Sequence, residues 1–175
     1  MEGVAGRQTA DRDMMAVAHD VIRILGERHW TIAVAESLTG GLVVAELVAV
    51  PGASAVVRGG VVAYSTALKH TLLGVEQRLL DERGAVHPEV AAQMARGVRS
   101  AASVDGVAAD VGVSTTGVAG PVAQDGHPVG TVFIGVSTAA GDHVVSLELG
   151  GDREHIRRVV VSEALAVVAR MLAVG

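Results

Sequence analysis

The chain has 175 residues, half of them apolar, and a formal net charge of -5 at pH 7. This length suits one domain with a hydrophobic core. The acidic balance and the three aromatic residues argue against nucleic-acid binding, which needs concentrated Lys and Arg and, for single strands, stacking platforms. The absence of cysteine excludes disulfides, thiolate catalysis and Cys-based zinc sites.

The N-terminus shows neither a signal peptide nor a membrane span, because every long apolar window is interrupted by a charge or a glycine. We therefore expect a soluble, cytoplasmic protein with no membrane partner. Residues 1–10 are polar and patternless, so we expect them to be loose and the domain to occupy residues 11–175. The abundance of Ala and Val leads us to expect apolar faces buried in a homo-oligomer.

Hydrophobic periodicity predicts helices and strands that alternate along most of the chain. Helices are predicted at residues 11–28, 41–50, 66–73, 76–82, 88–103 and 153–173. Strands are predicted at residues 31–36, 56–64, 110–115, 131–138 and 143–150, with the last two in a hairpin. Ser65 and Asp152 are predicted helix N-caps. A loop rich in Gly and Pro occupies residues 117–130.

This order of elements predicts an α/β fold, with a three-layer α/β/α single domain, a mixed sheet, and a C-terminal β-hairpin followed by a helix. Ligands of open α/β sheets bind at the carboxyl ends of the strands. Three polar segments follow predicted strands there, namely AESLTGG (35–41), YSTALK (64–69) and STTGVAGP (114–121). We expect all three to meet in one crevice.

Ser37 lies on the first strand-to-helix turn, beside Gly40 and Gly41. Glycines let a substrate approach the backbone, and amides at a helix N-terminus can hold an oxyanion. The arrangement favours a nucleophilic serine, although Ser37 or Thr39 could instead cap the helix. Side chains alternate along a strand, so Glu36 should point to the side opposite Ser37.

Lys69 is the only lysine in the chain, and it follows the only tyrosine, Tyr64, by five residues. The other thirteen Lys or Arg positions are all arginine, which cannot lose a proton in a protein, whereas burial can bring a lysine towards neutrality. This predicts Lys69 as the base for Ser37, with Tyr64 relaying a proton or donating to the developing charge. The alternatives are a surface lysine and a half-buried edge tyrosine.

Two further segments predict substrate contacts. The loop after the third strand offers hydroxyls and flexible backbone suited to a ribose or a planar amide, at Thr115, Thr116, Gly117, Ala119 and Gly120. Arg153 and Arg157 occupy the first turns of the last helix, which favours phosphate binding. The alternatives are an ordinary Gly-Pro loop and a solvated arginine face.

Other chemistries lack their motifs. The sequence has no P-loop and no dinucleotide-binding glycine pattern after a strand, and its seven histidines form no ligand pair. We therefore expect neither a metal nor a cofactor.

Six segments, in this order and at this spacing, resemble the C-terminal domain family of the competence/damage-inducible protein CinA. They are AESLTGGLV, GGVVAYSTALKHTLLGV, GAVHPEVAAQMARGVRS, TTGVAGP, PVGTVFIGVS and GDREHIRR. The resemblance extends from about residue 11 to the end of the chain. Stand-alone members of that family include nicotinamide mononucleotide amidohydrolases, also called nicotinamide-nucleotide amidases.

The resemblance implies that a small-molecule nucleotide, nicotinamide mononucleotide, is hydrolysed at its carboxamide to nicotinic acid mononucleotide and ammonia, as salvage towards NAD. It implies Ser37 as nucleophile with Tyr64 and Lys69 as partners, and no metal. It places the substrate phosphate near Arg153, with Arg157 as second choice. The competing hypothesis is a nucleotide-binding module without turnover, linked to competence or the DNA-damage response.

Overall fold

The computed structural model describes residues 2–174, with side chains for residues 13–173. Its helices are α1 (Glu2–Arg28), α2 (Leu42–Val48), α3 (Thr66–Leu73), α4 (Gln77–Arg83), α5 (Pro88–Ala101) and α6 (Arg153–Val174). Its strands are β1 (Ile32–Glu36), β2 (Val57–Val62), β3 (Val111–Gly117), β4 (Thr131–Thr138) and β5 (Gly141–Glu148). Every predicted helix and strand is present.

Helix boundaries differ from prediction at a few points. Helix α1 begins at Glu2, so the start predicted at residue 11 was wrong; Met1 and the side chains of residues 2–12 lie outside the described part of the chain. Asp152 caps α6 as predicted, because its Oδ1 accepts a hydrogen bond from the backbone N–H of His155 at 2.8 Å. Ser65 occupies the N-cap position of α3, but its side chain makes no capping hydrogen bond. Within the described residues, no helix is long and apolar enough to cross a membrane.

The five strands form one mixed sheet in the order β2-β1-β3-β4-β5. Strand β1 is parallel to both β2 and β3, and the hairpin β4-β5 continues the sheet antiparallel to β3. The chain goes from β1 to β2 on one side and then crosses to β3 on the other. This reversal opens a crevice at the carboxyl ends of β1 and β3, where α/β proteins bind ligands.

Helices cover both faces of the sheet, which confirms the predicted three layers. Helices α1, α2 and α6 pack on one face around a core that includes Ile32, Val34 and Val113. Helices α3 and α5 pack on the other, over Ala33 and Ala35. Alternation along β1 therefore places Glu36 on the α2 side and directs the next residue of the chain to the α3 side.

Close contact between α3 and α5 depends on Gly97. A Cβ added at Gly97 would lie 1.8 Å from the carbonyl oxygen of Leu73, the last residue of α3. No side chain fits there without moving one helix. The missing Cβ thus fixes where α3 lies above the sheet.

We expect Gly97→Ala to lower the free energy of unfolding by about 1–3 kcal/mol, because the added methyl overpacks the α3–α5 contact. Urea unfolding monitored by circular dichroism measures the change. Gly26→Ala is the matched control: this α1 glycine has open space around its Cβ position, so the same substitution should leave stability unchanged or raise it by up to about 1 kcal/mol. Equal effects of the two substitutions would contradict the steric argument.

Candidate active site

Ser37 follows the last residue of β1 and lies in the crevice. Its backbone N–H donates to the carbonyl of Thr115 on β3 at 3.0 Å, which extends the sheet pairing by one residue. Only 8% of Ser37 is exposed. The sheet therefore holds the Ser37 backbone at the point where the chain turns into α2.

Lys69 reaches Ser37 from the neighbouring helix. It lies on α3, is 1% exposed, and its Nζ is 3.0 Å from Ser37 Oγ. The same ammonium group donates to the carbonyl of Ala63 at 2.8 Å. The structure thus brings together the two residues that the sequence predicted as nucleophile and base.

The environment of Lys69 shifts its protonation equilibrium towards the neutral form. Burial lowers the pKa of Lys69 from 10.5 to about 8, although the negative charge of Asp125 opposes that shift. Both hydrogen-bond partners of Nζ are uncharged oxygens. At pH 7, roughly one Lys69 in ten is then neutral and able to accept the Ser37 proton.

Ser37 and Lys69 line a cavity of about 480 Å³ at the carboxyl end of the sheet. The remaining wall comes from Leu38, residues 64–66, 85–86, 116–120 and 122–124, and Arg153. This volume falls in the range of small-molecule sites. The cavity is therefore large enough for a nucleotide-sized ligand beside the Ser37 hydroxyl.

Tyr64 lies at the cavity but has a different partner from the one predicted. It is 61% exposed, and its hydroxyl oxygen accepts a hydrogen bond from Arg153 Nη2 at 3.0 Å. Arg153 Nη1 donates to the carbonyl of Gly120 at 2.8 Å. Since Lys69 contacts Ser37 directly, transfer of the Ser37 proton needs no relay through Tyr64.

Thr39, Gly40 and Gly41 form the turn after Ser37 and do not line the cavity. The Gly41 N–H donates to a carboxylate oxygen of Glu36 at 2.8 Å. It is therefore not free to hold an oxyanion as the sequence predicted. Leu38, the residue after Ser37, does line the cavity.

Glu36 points to the side of the strand opposite Ser37, as predicted, and has a structural role there. Its buried carboxylate also accepts hydrogen bonds from the N–H groups of Val43 and Val44, so it caps α2. Thr39 Oγ1 pairs with Thr115 Oγ1 at 2.7 Å, and both residues are fully buried. Thr115 therefore supports the turn after Ser37 through Thr39 and does not line the cavity.

The rest of the predicted Gly-rich loop does reach the site. Thr116, Gly117, Ala119 and Gly120 all line the cavity. The Thr116 hydroxyl donates to the carbonyl of Ala85 at 2.7 Å and so ties the end of β3 to the segment before α5.

The two predicted phosphate arginines lie in different places. Arg153 is exposed at the cavity, whereas Arg157 does not line it. Instead, Arg157 donates to the carbonyls of Leu38 and Thr39, each at 2.9 Å. Only Arg153 is placed to meet a ligand beside Ser37.

Sequence reasoning missed two parts of the site. The carbonyl of Ala63 holds Lys69 through the backbone, for which side-chain identity gives no signal. Asp125 accepts from the N–H of Ala85 at 2.9 Å and so connects the Gly-rich loop to the segment before α5. The Asp125-Gly126 pair is typical of a turn, but it does not indicate which segment of the chain that turn contacts.

Comparison with known proteins places this chain in a family. The sequence model of the CinA C-terminal domain matches residues 14–172. A CinA-like protein from Frankia casuarinae is 49% identical over 153 residues, covering 87% of this chain and 34% of the relative. The chain thus spans about a third of the length of that relative.

Solved structures with CinA names have the same fold. The competence/damage inducible protein CihA from Agrobacterium tumefaciens superposes with a TM-score of 0.84 at 31% identity, over 91% of this chain and 95% of that one. A CinA superfamily protein from Klebsiella pneumoniae gives 0.85 at 30% identity, over 91% and 98%.

The depressed pKa of Lys69 predicts a pH-dependent stability. Between pH 8 and 10.5 the unfolded chain binds more protons at this residue than the folded chain, so its contribution to stability rises with pH. Relative to Lys69→Met, we expect the wild type to gain about 2 kcal/mol of unfolding free energy from pH 7 to pH 9.5. Chemical denaturation of both proteins across this range measures the difference, and the other titrating groups cancel. A difference that stays constant with pH would mean that Lys69 keeps its ordinary pKa.

Proposed function

The chain belongs to the CinA C-terminal domain family, and we propose that it is a nicotinamide-nucleotide amidase. In this proposal it hydrolyses the carboxamide of nicotinamide mononucleotide to nicotinic acid mononucleotide and ammonia. The observation that supports it most strongly is the buried Lys69 Nζ, 3.0 Å from Ser37 Oγ in a ligand-sized cavity. A serine hydroxyl with a lysine of lowered pKa beside it is an activated nucleophile.

The proposed reaction proceeds through an acyl-enzyme. Neutral Lys69 takes the Ser37 proton as Oγ attacks the carboxamide carbon, and the Leu38 N–H donates to the oxyanion. Protonated Lys69 then gives its proton to the leaving nitrogen, so the C–N bond breaks and ammonia departs. Water, deprotonated by Lys69, attacks the Ser37 ester. Lys69 then returns the proton to Ser37 Oγ as the ester C–O bond breaks, which releases the carboxylic acid and restores the free enzyme.

The charge at the cavity supports a phosphorylated substrate. Arg153 has two neutral partners, the Tyr64 hydroxyl and the Gly120 carbonyl, so neither compensates its positive charge. A phosphate group there would form charge-assisted hydrogen bonds with the guanidinium. Residues 116–120 line the same cavity, and the backbone of this loop suits the ribose and the amide.

Ser37→Ala is the direct test. We expect purified wild-type protein to release ammonia from nicotinamide mononucleotide, and Ser37→Ala to lower kcat at least about a thousandfold, because the nucleophile is gone. Ser162→Ala, an exposed serine on α6, is the matched control and should retain full activity. Wild-type protein that binds the mononucleotide and releases no ammonia would favour a nucleotide-binding module without turnover.

The role of Lys69 predicts a pH profile. Because the neutral amine is the base, kcat/KM should rise with pH and level off above an apparent pKa of about 8. Lys69→Arg keeps the charge but cannot deprotonate, so it should be inactive at every pH. Lys69→Met, which keeps the length of the side chain, should be inactive as well. Wild-type turnover by Lys69→Arg would refute the general-base role.

A further inference from the structure

Arg157 crosses from α6 to the nucleophile turn, which we define as residues 37–41. Its Nε donates to the Leu38 carbonyl and its Nη2 to the Thr39 carbonyl, each at 2.9 Å. We propose that Arg157 is a positioning residue that holds Ser37 in register with Lys69 and does not bind the substrate phosphate. The inference rests on the amidase function proposed above.

The nucleophile turn has a backbone that needs external support. Gly40 and Gly41 both have left-handed φ values, +64° and +102°, so the chain reverses sharply within two residues. On one side the turn is held by the Glu36 carboxylate, which takes the Gly41 N–H, and by the Thr39–Thr115 hydroxyl pair. On the α6 side, Arg157 donates to two successive carbonyls in a partly buried site. The Thr39 carbonyl also accepts a longer hydrogen bond from the Leu42 N–H at 3.4 Å, so loss of Arg157 would remove the side-chain donor of the Leu38 carbonyl and the shorter of two donors to Thr39.

The shape of the guanidinium explains why an arginine occupies this position. Its rigid planar fork presents Nε and Nη2 together, which matches two adjacent carbonyls, whereas a lysine ammonium is a single point on a flexible stem. A Cβ added at Gly40 would come within 3.4 Å of Arg157 Nη2, so the turn lies directly against this group. Arg157 and the turn therefore form one packed unit.

The location of Arg157 argues against a role in binding a phosphate in the cavity beside Ser37. Its side chain does not line the cavity that contains Ser37 and Lys69, and it already holds the two carbonyls. Arg153, one helical turn earlier on α6, does line the cavity. The same helix thus offers one arginine to the ligand and one to the backbone beneath the nucleophile.

In this proposal, Arg157 controls the alignment of Ser37 with Lys69. Ser37 Oγ is held 3.0 Å from Lys69 Nζ, and Leu38, whose carbonyl Arg157 holds, follows Ser37 directly. A displacement of about 1 Å in such a site costs on the order of 100-fold in rate. Loss of Arg157 should therefore act on the chemical step.

The first experiment separates kcat from KM for nicotinamide mononucleotide. We expect Arg157→Leu and Arg157→Lys to lower kcat about 10- to 100-fold with KM changed less than about threefold. Arg153→Gln should chiefly raise KM, and Arg170→Leu, an exposed α6 arginine, should change neither. Added guanidinium at millimolar concentration should restore part of the activity of Arg157→Ala and none of that of Ser37→Ala. An Arg157→Leu effect confined to KM, or an absence of guanidinium rescue in folded Arg157→Ala, would overturn the proposal.

The second experiment measures Ser37 reactivity without the proposed substrate. A fluorophosphonate probe should label Ser37 about 10- to 100-fold more slowly in Arg157→Leu and Arg157→Lys than in wild type, and at the wild-type rate in Arg170→Leu. Labelling of wild type without release of ammonia would refute the amidase and leave the positioning role standing. Wild-type labelling rates in the Arg157 variants would refute the positioning role even if the amidase is real. If Arg157→Leu does not fold, Arg157→Lys, which keeps charge and most of the volume, decides between these outcomes.

Discussion

The site is organised around one amine that is held out of water without a carboxylate partner. Among the residues that the structure describes, Lys69 Nζ has only the hydroxyl of Ser37 and the carbonyl of Ala63 as hydrogen-bond partners, and burial lowers its pKa to about 8. Such an arrangement opposes folding at neutral pH, because the charged form is desolvated without an ion pair. Its position depends on the surrounding elements: β2 ends just before α3, and the missing Cβ of Gly97 lets α3 lie against α5. A missing Cβ on α5 therefore fixes the position of the helix that carries Lys69.

Two neighbouring residues at the end of β1 point to opposite faces of the sheet and have different contacts there. Glu36 points to the α2 side, where its carboxylate takes three backbone amides and anchors the start of that helix. Ser37 contacts Lys69 of α3 on the other side. The carboxylate closest to Ser37 in sequence is thus occupied by backbone and is not its base. The same capping removes the Gly41 N–H from the set of candidate oxyanion donors.

The order of the helices and strands and the Ser37–Lys69 pair were predictable from the sequence for physical reasons. Hydrophobic periodicity reports which face of an element is buried, and carboxyl ends of parallel strands meet at one edge of a sheet. The partners of Tyr64, Gly41 and Arg157 were not predictable. These partners depend on side-chain rotamers and on where α6 passes over the turn. Hydrophobic periodicity gives no information on either. The two arginines look equivalent in sequence because they are four residues apart on one helix face. Their separation into a cavity residue and a backbone clamp appears only when α6 is placed against residues 37–41.

The position of α6 connects the cavity and the turn after Ser37 through one rigid helix. Arg153 joins the Tyr64 hydroxyl and the Gly120 carbonyl at the cavity, and Arg157 holds the carbonyls of Leu38 and Thr39, the two residues after Ser37. Because α6 runs unbroken from Arg153 to Val174 and packs its apolar side into the core, neither arginine can shift far without the other. A ligand phosphate drawn to Arg153 would therefore be fixed relative to Ser37 by the helix itself. In such a site, alignment is established before the substrate arrives, and binding energy need not be used to create it.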